Sequence, residues 1–278
     1  MRRIDTQVHA AHLHREAAIE PGARFAAAAE ALLAAMDAVG IDHAVIAPRF
    51  DVELGAAAVA AHPDRLSRVV MIDPAAGDVE AQVAAAKRTP GVVALRQVVA
   101  DYAGDRGVAD LRAGMFRRLF AAAEREGMAL FLLGPGFPAE MAEIAEAHPT
   151  LTLIIDHFGL RQYPPLTVDT PPLGKLPGLT GLAKFPNVLV KMCGAQLFSA
   201  LPYPHADIWD WLRPVVDAFG AERMLWASDF TRLRMVPAGQ PWRGTYGEAL
   251  GVVRDSDALS DAEKALILGG NAARVLGI

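Results

Sequence analysis

The sequence predicts an α/β fold, a single-domain (β/α)8 barrel over residues 1–278, on three observations. Eight short apolar runs alternate with Ala- and Leu-rich helical stretches along almost the whole chain. Most runs stop abruptly at ionisable or amide side chains, the pattern of a strand buried on both faces. The first run is followed by Gln7-Val8-His9, where a doubly wound sheet would place a glycine-rich phosphate loop.

The runs follow in order. Residues 4–8 form the first, and residues 43–47 the second, ending at Pro48-Arg49. The third is 68–72, ending at Asp73, and the fourth is 92–95, ending at Arg96-Gln97. Residues 129–133 end at Gly134, and 151–155 end at Asp156-His157. Residues 188–190 end at Lys191, and 224–227 end at Ser228-Asp229. Helical stretches fill the intervals at 25–39, 53–61, 79–88, 108–126, 138–147, 173–185 and 208–219. Gly40, Gly127 and Gly220 stand as stop signals. Ser260-Asp261-Ala262-Glu263 has capping-box spacing and opens a last helix through residue 275. Three long connections, 158–172, 192–204 and 230–244, are rich in Pro, Gly, Tyr and Arg. Each follows a strand end, where loops shape access to a barrel site.

Composition narrows the function classes. Net charge is −5, which argues against nucleic acid as the main partner, since phosphate binding needs a basic surplus. Hydrophobic residues make up 53 % of the chain, ample for a large core. No apolar run approaches membrane-spanning length, and residues 1–5 run into polar positions without a leader's apolar centre. Cys193 is the one cysteine, so no intrachain disulfide forms, which fits a reducing cytoplasm. The expected partner is a small-molecule substrate, and aliphatic helix faces are compatible with a homo-oligomer.

In a closed parallel barrel the strand ends converge on one mouth. Gln7 and His9, two apart, face the same side, and Arg49, Asp73, Arg96, His157, Lys191 and Asp229 join them there. His9, His157 and Asp229 are the sharpest set, suited to acid–base work or to a divalent metal. The plainer readings are that a histidine at a strand end caps the fold, and that Arg96 and Lys191 pair with buried carboxylates such as Asp73 or Asp156. The other six histidines read as structural or surface residues. Cys193 lies near the mouth with no base set beside it by the sequence, so a thiol nucleophile is not expected.

Ile4-Asp5-Thr6-Gln7-Val8-His9, Asp156-His157-Phe158-Gly159, Trp226-Ala227-Ser228-Asp229 and Gly270-Asn271-Ala272-Ala273-Arg274, in that order, resemble the amidohydrolase-2 family of TIM-barrel hydrolases. The resemblance covers almost the whole chain. It lies nearest the branch of lactone hydrolases that includes 2-pyrone-4,6-dicarboxylate lactonase and sugar lactonases. Two positions depart from the family pattern. Its His-x-His on the first strand is Gln7-Val8-His9 here, and its histidine at the end of the fifth strand has no counterpart in Phe131-Leu132-Leu133-Gly134. An amide oxygen is a weaker ligand than imidazole. The resemblance therefore implies that no cofactor is required. If a metal were present, zinc or manganese, its ligands would be His9, His157, Asp229 and Gln7. The implied reaction opens a lactone or similarly activated ester of a small carboxylic or sugar acid. Asp229 would take a proton from water, and His9 and His157 would donate to the oxyanion. Gln7, Arg49, Arg96, Arg161 and Lys191 would hold the substrate. The alternatives are a metal-dependent decarboxylase of an aromatic or unsaturated acid, and a non-catalytic binder of a small acid.

Overall fold

The computed structural model describes residues 1–9, 21–47, 52–100, 106–162, 173–231 and 244–278. Eight strands form one sheet: β1 (Ile4–Val8), β2 (His43–Ile46), β3 (Leu66–Val70), β4 (Val92–Val98), β5 (Ala129–Leu133), β6 (Leu153–Ile155), β7 (Val188–Cys193) and β8 (Met224–Ala227). They pair in chain order, and each neighbouring pair from β1–β2 to β7–β8 is parallel. Parallel neighbours need a long return connection, and the helices between them supply it. The ring closes from β8 to β1 through a bridge between Val8 and Phe230. The Asp229 N–H donates to the Gln7 carbonyl at 3.1 Å, and the Thr6 hydroxyl donates to the Trp226 carbonyl at 2.7 Å. The predicted (β/α)8 barrel is therefore the fold.

Side chains alternate across the strands. Val45, Val69, Ala94, Phe131, Leu189 and Leu225 pack inside the ring. Their neighbours Ile46, Leu95, Leu132, Val190 and Trp226 face the helices. β1 breaks the rule in a useful way. Ile4 belongs to the interior and Val8 to the outer layer, although they are four residues apart. The ladder to β2 slips between Asp5 and Val8, and that bulge turns Gln7 inward.

Several element bounds move. β3 starts at Leu66, because pairing with β2 brings Leu66 and Ser67 into the ladder. β7 runs on to Cys193, since Lys191, Met192 and Cys193 all pair with β8. Lys191 and Cys193 therefore share the inner face with Leu189. The stretch predicted as one helix over 108–126 is two, α4 (Arg106–Arg112) and α5 (Arg117–Arg125), parted around Gly114 at φ 82°. The preceding helices are α1 (Pro21–Val39), α2 (Val52–Ala61) and α3 (Val79–Arg88), and the following ones are α6 (Pro138–Ala147), α7 (Leu176–Gly181) and α8 (Trp209–Phe219). An unpredicted helix, α9 (Tyr246–Arg254), opens on a Thr245/Glu248 capping box. The Ser260/Glu263 box opens α10 (Asp261–Ala265). A π-helical turn then leads to α11 (Asn271–Leu276). In that turn Gly269 packs so tightly on the Arg2 carbonyl that a Cβ would lie 2.0 Å from its oxygen. Among the described residues, no helix is long and apolar enough to cross a membrane.

Candidate active site

The inner faces of β4, β6 and β7 bring three ionisable side chains together below the mouth. Arg96 Nε donates to Asp156 Oδ2 at 3.0 Å, and Lys191 Nζ donates to Asp156 Oδ1 at 2.5 Å. Lys191 and Asp156 are fully buried, and Arg96 is 2 % exposed. The ammonium also sits 3.6 Å from the centre of the Phe131 ring, a cation–π contact. Burial pushes the Asp156 carboxyl upward, but Lys191 and then Arg96 outweigh it and hold its pKa at about 2. Burial in turn lowers Lys191, with Asp156 opposing. Two cations on one carboxylate leave positive charge in excess. Arg96 Nη2 is buried and has no hydrogen-bond partner among the described residues. A buried, unsatisfied guanidinium nitrogen costs on the order of 1–3 kcal/mol or more, which an anionic ligand would relieve.

Gln7 joins this layer to the mouth. Lys191 Nζ donates to Gln7 Oε1 at 2.9 Å, and Gln7 Nε2 donates to Asp229 Oδ1 at 2.8 Å. An ammonium only donates and a carboxylate only accepts, so the amide can face only one way. Gln7 Nε2 lies 3.2 Å from His157 Nε2, which accepts its second proton. His9 Nε2 reaches the same Asp229 oxygen at 2.9 Å. The chain Arg96–Asp156–Lys191–Gln7–Asp229–His9 is thus continuous across the barrel.

Local backbone places the two mouth residues. His157 sits at φ 54°, ψ 38° in a tight turn, Asp156–Gly159, after β6, and Asp229 sits at φ 58° after β8. Left-handed backbone at a non-glycine residue costs about 1–3 kcal/mol and persists only where neighbours enforce it. Asp5 is the enforcing neighbour for Asp229. Its Oδ1 accepts the Ser228 N–H at 3.0 Å and the Gln7 N–H at 3.1 Å. Its Oδ2 accepts the Ser228 hydroxyl, and Ser228 Oγ accepts the Phe230 N–H at 2.9 Å. Asp5 is wholly buried, and burial pushes its pKa up to about 6.

Of the residues singled out from the sequence, Gln7, His9, Arg96, His157, Lys191 and Asp229 come together. Arg161 lies beyond the turn after β6, its guanidinium 5.8 Å from the Phe137 ring. Arg49 lies outside the described residues. Asp73 is exposed and accepts the Ala75 N–H at 2.9 Å, so the carboxylate that pairs Arg96 and Lys191 is Asp156. Sequence reasoning passed over one residue. Asp5 looked like one more strand position. Cys193 shares an inner face with Lys191 by simple period-two spacing, a signal hidden by ending the strand at Val190.

His157, Cys193 and Asp229 are all buried, and one ligand atom of each lies within 4.8 Å of the others. Imidazole, thiolate and carboxylate are the donors that zinc accepts in a three-ligand site with an open position, so the set fits such an ion. Gln7 is outside it, because its oxygen is turned to Lys191. Burial holds the Cys193 thiol well above its usual range, as expected of a thiol without a base.

The fold is a (β/α)8 barrel whose mouth gathers imidazole, thiol and carboxylate groups. A family model for amidohydrolases matches residues 4–278, and the chain belongs to that family. Solved structures share the fold at low identity. An amidohydrolase from Burkholderia multivorans with bound zinc is 21 % identical, with a TM-score of 0.77 and 100 % of each chain covered. A probable 2-pyrone-4,6-dicarboxylic acid hydrolase from Acinetobacter baumannii with citric acid bound is 17 % identical (TM-score 0.71, 100 % of each chain covered). A 4-oxalomesaconate hydratase from Rhodopseudomonas palustris is 17 % identical (TM-score 0.68), with 99 % of this chain and 95 % of that one covered. No match is found among curated protein sequences.

Proposed function

We propose that this amidohydrolase opens a lactone, or a similarly activated ester, of a small carboxylic acid, with Asp229 as general base. The observation that carries the reading is Asp229 Oδ1 fixed by two donors, Gln7 Nε2 and His9 Nε2, above a buried cationic layer whose Arg96 Nη2 has no partner among the described residues. A base held at one oxygen by two donors is already oriented, so little freedom is lost when water arrives.

Water attacks the carbonyl carbon while Asp229 takes one of its protons. The tetrahedral intermediate collapses by breaking the ring C–O bond, and Asp229 returns the proton to the leaving oxygen. Protonating Asp229 removes the charge that holds the His9 N–H, which then turns to the oxyanion. His157 forms the other side of the pocket and keeps the Gln7 amide aligned. Arg96, with Lys191 behind it, receives a carboxylate of the substrate, and Arg161 stands beyond the turn after β6. General-base help of about 10²–10⁴-fold and an oxyanion donor of about 10²–10³-fold suit a lactone better than an unactivated amide. The Acinetobacter neighbour's citric acid and its 2-pyrone-4,6-dicarboxylic acid hydrolase description support a carboxylated substrate.

A divalent ion bound by His157, Cys193 and Asp229 would supply Lewis acidity and a more acidic water. The reaction above needs no such ion, since base, donor and anion seat all come from side chains. The test is a panel of pyrone, muconolactone and aldonolactone substrates with purified protein, with and without a strong chelator. Turnover that survives chelation is expected. Turnover lost to chelator and restored by zinc or manganese would replace this reading with a metal-dependent one. Carbon dioxide release from aromatic or unsaturated acids, with no lactone consumed, would favour a decarboxylase.

A further inference from the structure

The end of the barrel opposite the mouth, where the strands begin, holds a second cavity of about 540 Å³. Arg2 leads into β1 there, His43 opens β2, Ser67 stands second in β3, and Lys87 and Arg88 end α3. Val45, Val69, Ala94 and Phe131 fill the barrel between this cavity and the mouth, so the two are separate. Arg2, Lys87 and Arg88 bring three cations to the lining, against the single acidic side chain of Asp64. Even a carboxylate at Ile278, which also lines the cavity, leaves the balance positive. Among the described residues, none of the three cations pairs with a carboxylate. Lys87 and Arg88 complement the C-terminal dipole of α3, but that accounts for neither Arg2 nor the polar pair beneath it.

That pair is His43 and Ser67, 3 % and 2 % exposed, and both line the cavity. His43 Nε2 is hydrogen-bonded to Ser67 Oγ. His43 Nδ1 lies 3.3 Å from Arg2 Nη2 and 3.2 Å from the Asp64 carbonyl oxygen. Burial lowers the His43 pKa, so the ring has one N–H to place. A guanidinium only donates. With Arg2 on Nδ1, the proton sits on Nε2 and is donated to Ser67, which leaves the Ser67 hydroxyl proton for a ligand. Guanidinium, ammonium and hydroxyl donors converging from three elements suit the tetrahedral oxygens of a phosphate group. The cavity is larger than that group, with room for a small organic remainder. We propose that this cavity seats a phosphate group, free or carried by a small metabolite, on Arg2, Ser67, Lys87 and Arg88. The site is independent of the lactone reaction and of its residues.

The test is isothermal titration calorimetry with sodium phosphate, ribose 5-phosphate and sodium acetate at fixed ionic strength. Wild type and Arg96→Lys, altered only at the other end of the barrel, should show the same saturable phosphate site. Lys87→Ala/Arg88→Ala changes two exposed side chains and leaves the core untouched. Its affinity for both phosphates should fall at least about tenfold, the scale of one lost charge-assisted hydrogen bond. Ser67→Ala should lose a similar factor; should it fail to fold, the Lys87→Ala/Arg88→Ala protein decides alone. Tighter binding of ribose 5-phosphate than of phosphate assigns the site to a monoester, and equal binding assigns it to the free ion; both uphold it. No saturable phosphate binding to wild type, acetate bound as tightly as phosphate, or undiminished affinity in either folded cavity variant overturns the proposal. Binding lost in Arg96→Lys but kept in Lys87→Ala/Arg88→Ala also overturns it, because the anion then sits at the mouth.

Discussion

The Lys191 ammonium lies 2.9 Å from the Gln7 carbonyl oxygen, and this contact sets the polarity of the whole site. With its oxygen committed to Lys191, the Gln7 amide has only protons to offer Asp229 and His157. A position that could have ligated a metal through oxygen has become a double donor to the proposed base and its neighbour. Lys191 is held in turn by Asp156, which also binds Arg96. The cationic layer and the base are thus two ends of one hydrogen-bonded chain.

Replacing Asp229 by Asn removes the proposed base while keeping its shape. Turnover should fall by about 10²–10⁴-fold, the usual worth of a general base. Thermal unfolding and circular dichroism should show an intact barrel, since Gln7 and His9 can re-pair with an amide oxygen. Near-normal turnover in a folded Asp229→Asn protein would remove Asp229 from the mechanism.

Lys191→Met tests the chain from the other end. The substitution leaves Asp156 fully buried with Arg96 as its remaining cation, and leaves the Gln7 oxygen without its donor. Removing one member of a buried ion network costs about 3–5 kcal/mol. Urea unfolding should show a loss of that order, and turnover should drop because the Gln7 amide is no longer held in one orientation. A variant as stable as wild type would mean that Asp156 is compensated some other way.

The barrel was legible because buried parallel strands advertise themselves as apolar runs with polar ends, and five of the eight proposed site residues fall on one connected chain, with a sixth, His157, branching from Gln7. What the sequence hid is more local. It left open whether Arg96 and Lys191 serve substrate or a core carboxylate, because pairing with Asp156 joins residues 60 and 35 positions apart. The β1 bulge that turns Gln7 inward is set by register against β2, which no single segment encodes. Cys193 was legible as a residue near the mouth but not as an inner-face neighbour of Lys191, because Val188-Leu-Val190 is the apolar part of β7, whereas the ladder to β8 carries the strand three residues further. Asp5 resembled any polar residue in a strand until its two oxygens were seen to clamp the Ser228 backbone and hydroxyl.

Arg96→Lys separates substrate binding from folding. Lysine retains a charge for Asp156 but lacks the second nitrogen, Nη2, which has no hydrogen-bond partner among the described residues. For a carboxylated lactone, KM should rise at least about tenfold, the loss of one charge-assisted bond of about 1.5–3 kcal/mol. For a neutral lactone of the same ring, KM should hardly change. An equal rise for both substrates would place the substrate's carboxylate elsewhere.

Asp5 gives the fold a pH dependence of unusual sign. Its pKa is about 6 in the folded protein, raised by burial, against about 3.9 for an unfolded chain. Between those values the folded state keeps a proton that the unfolded state has released. The contribution of Asp5 is therefore fully present below about pH 4 and is lost as pH rises through about 6. The difference of about two units corresponds to roughly 3 kcal/mol. Asp156 acts in a separate window. Its pKa is held at about 2, so its contribution is present above about pH 4 and is lost only in stronger acid. Urea titrations of wild type and Asp5→Asn at pH 4.5 and pH 7 isolate the Asp5 term, since groups common to both proteins cancel. The unfolding free energy of wild type minus that of the variant should fall by roughly 2 kcal/mol from the lower pH to the higher, since pH 4.5 already lies above the unfolded pKa. An unchanged difference would show that Asp5 ionises as easily in the barrel as in water, and that the Ser228 hydroxyl and the backbone N–H groups of Ser228 and Gln7 fully offset its burial.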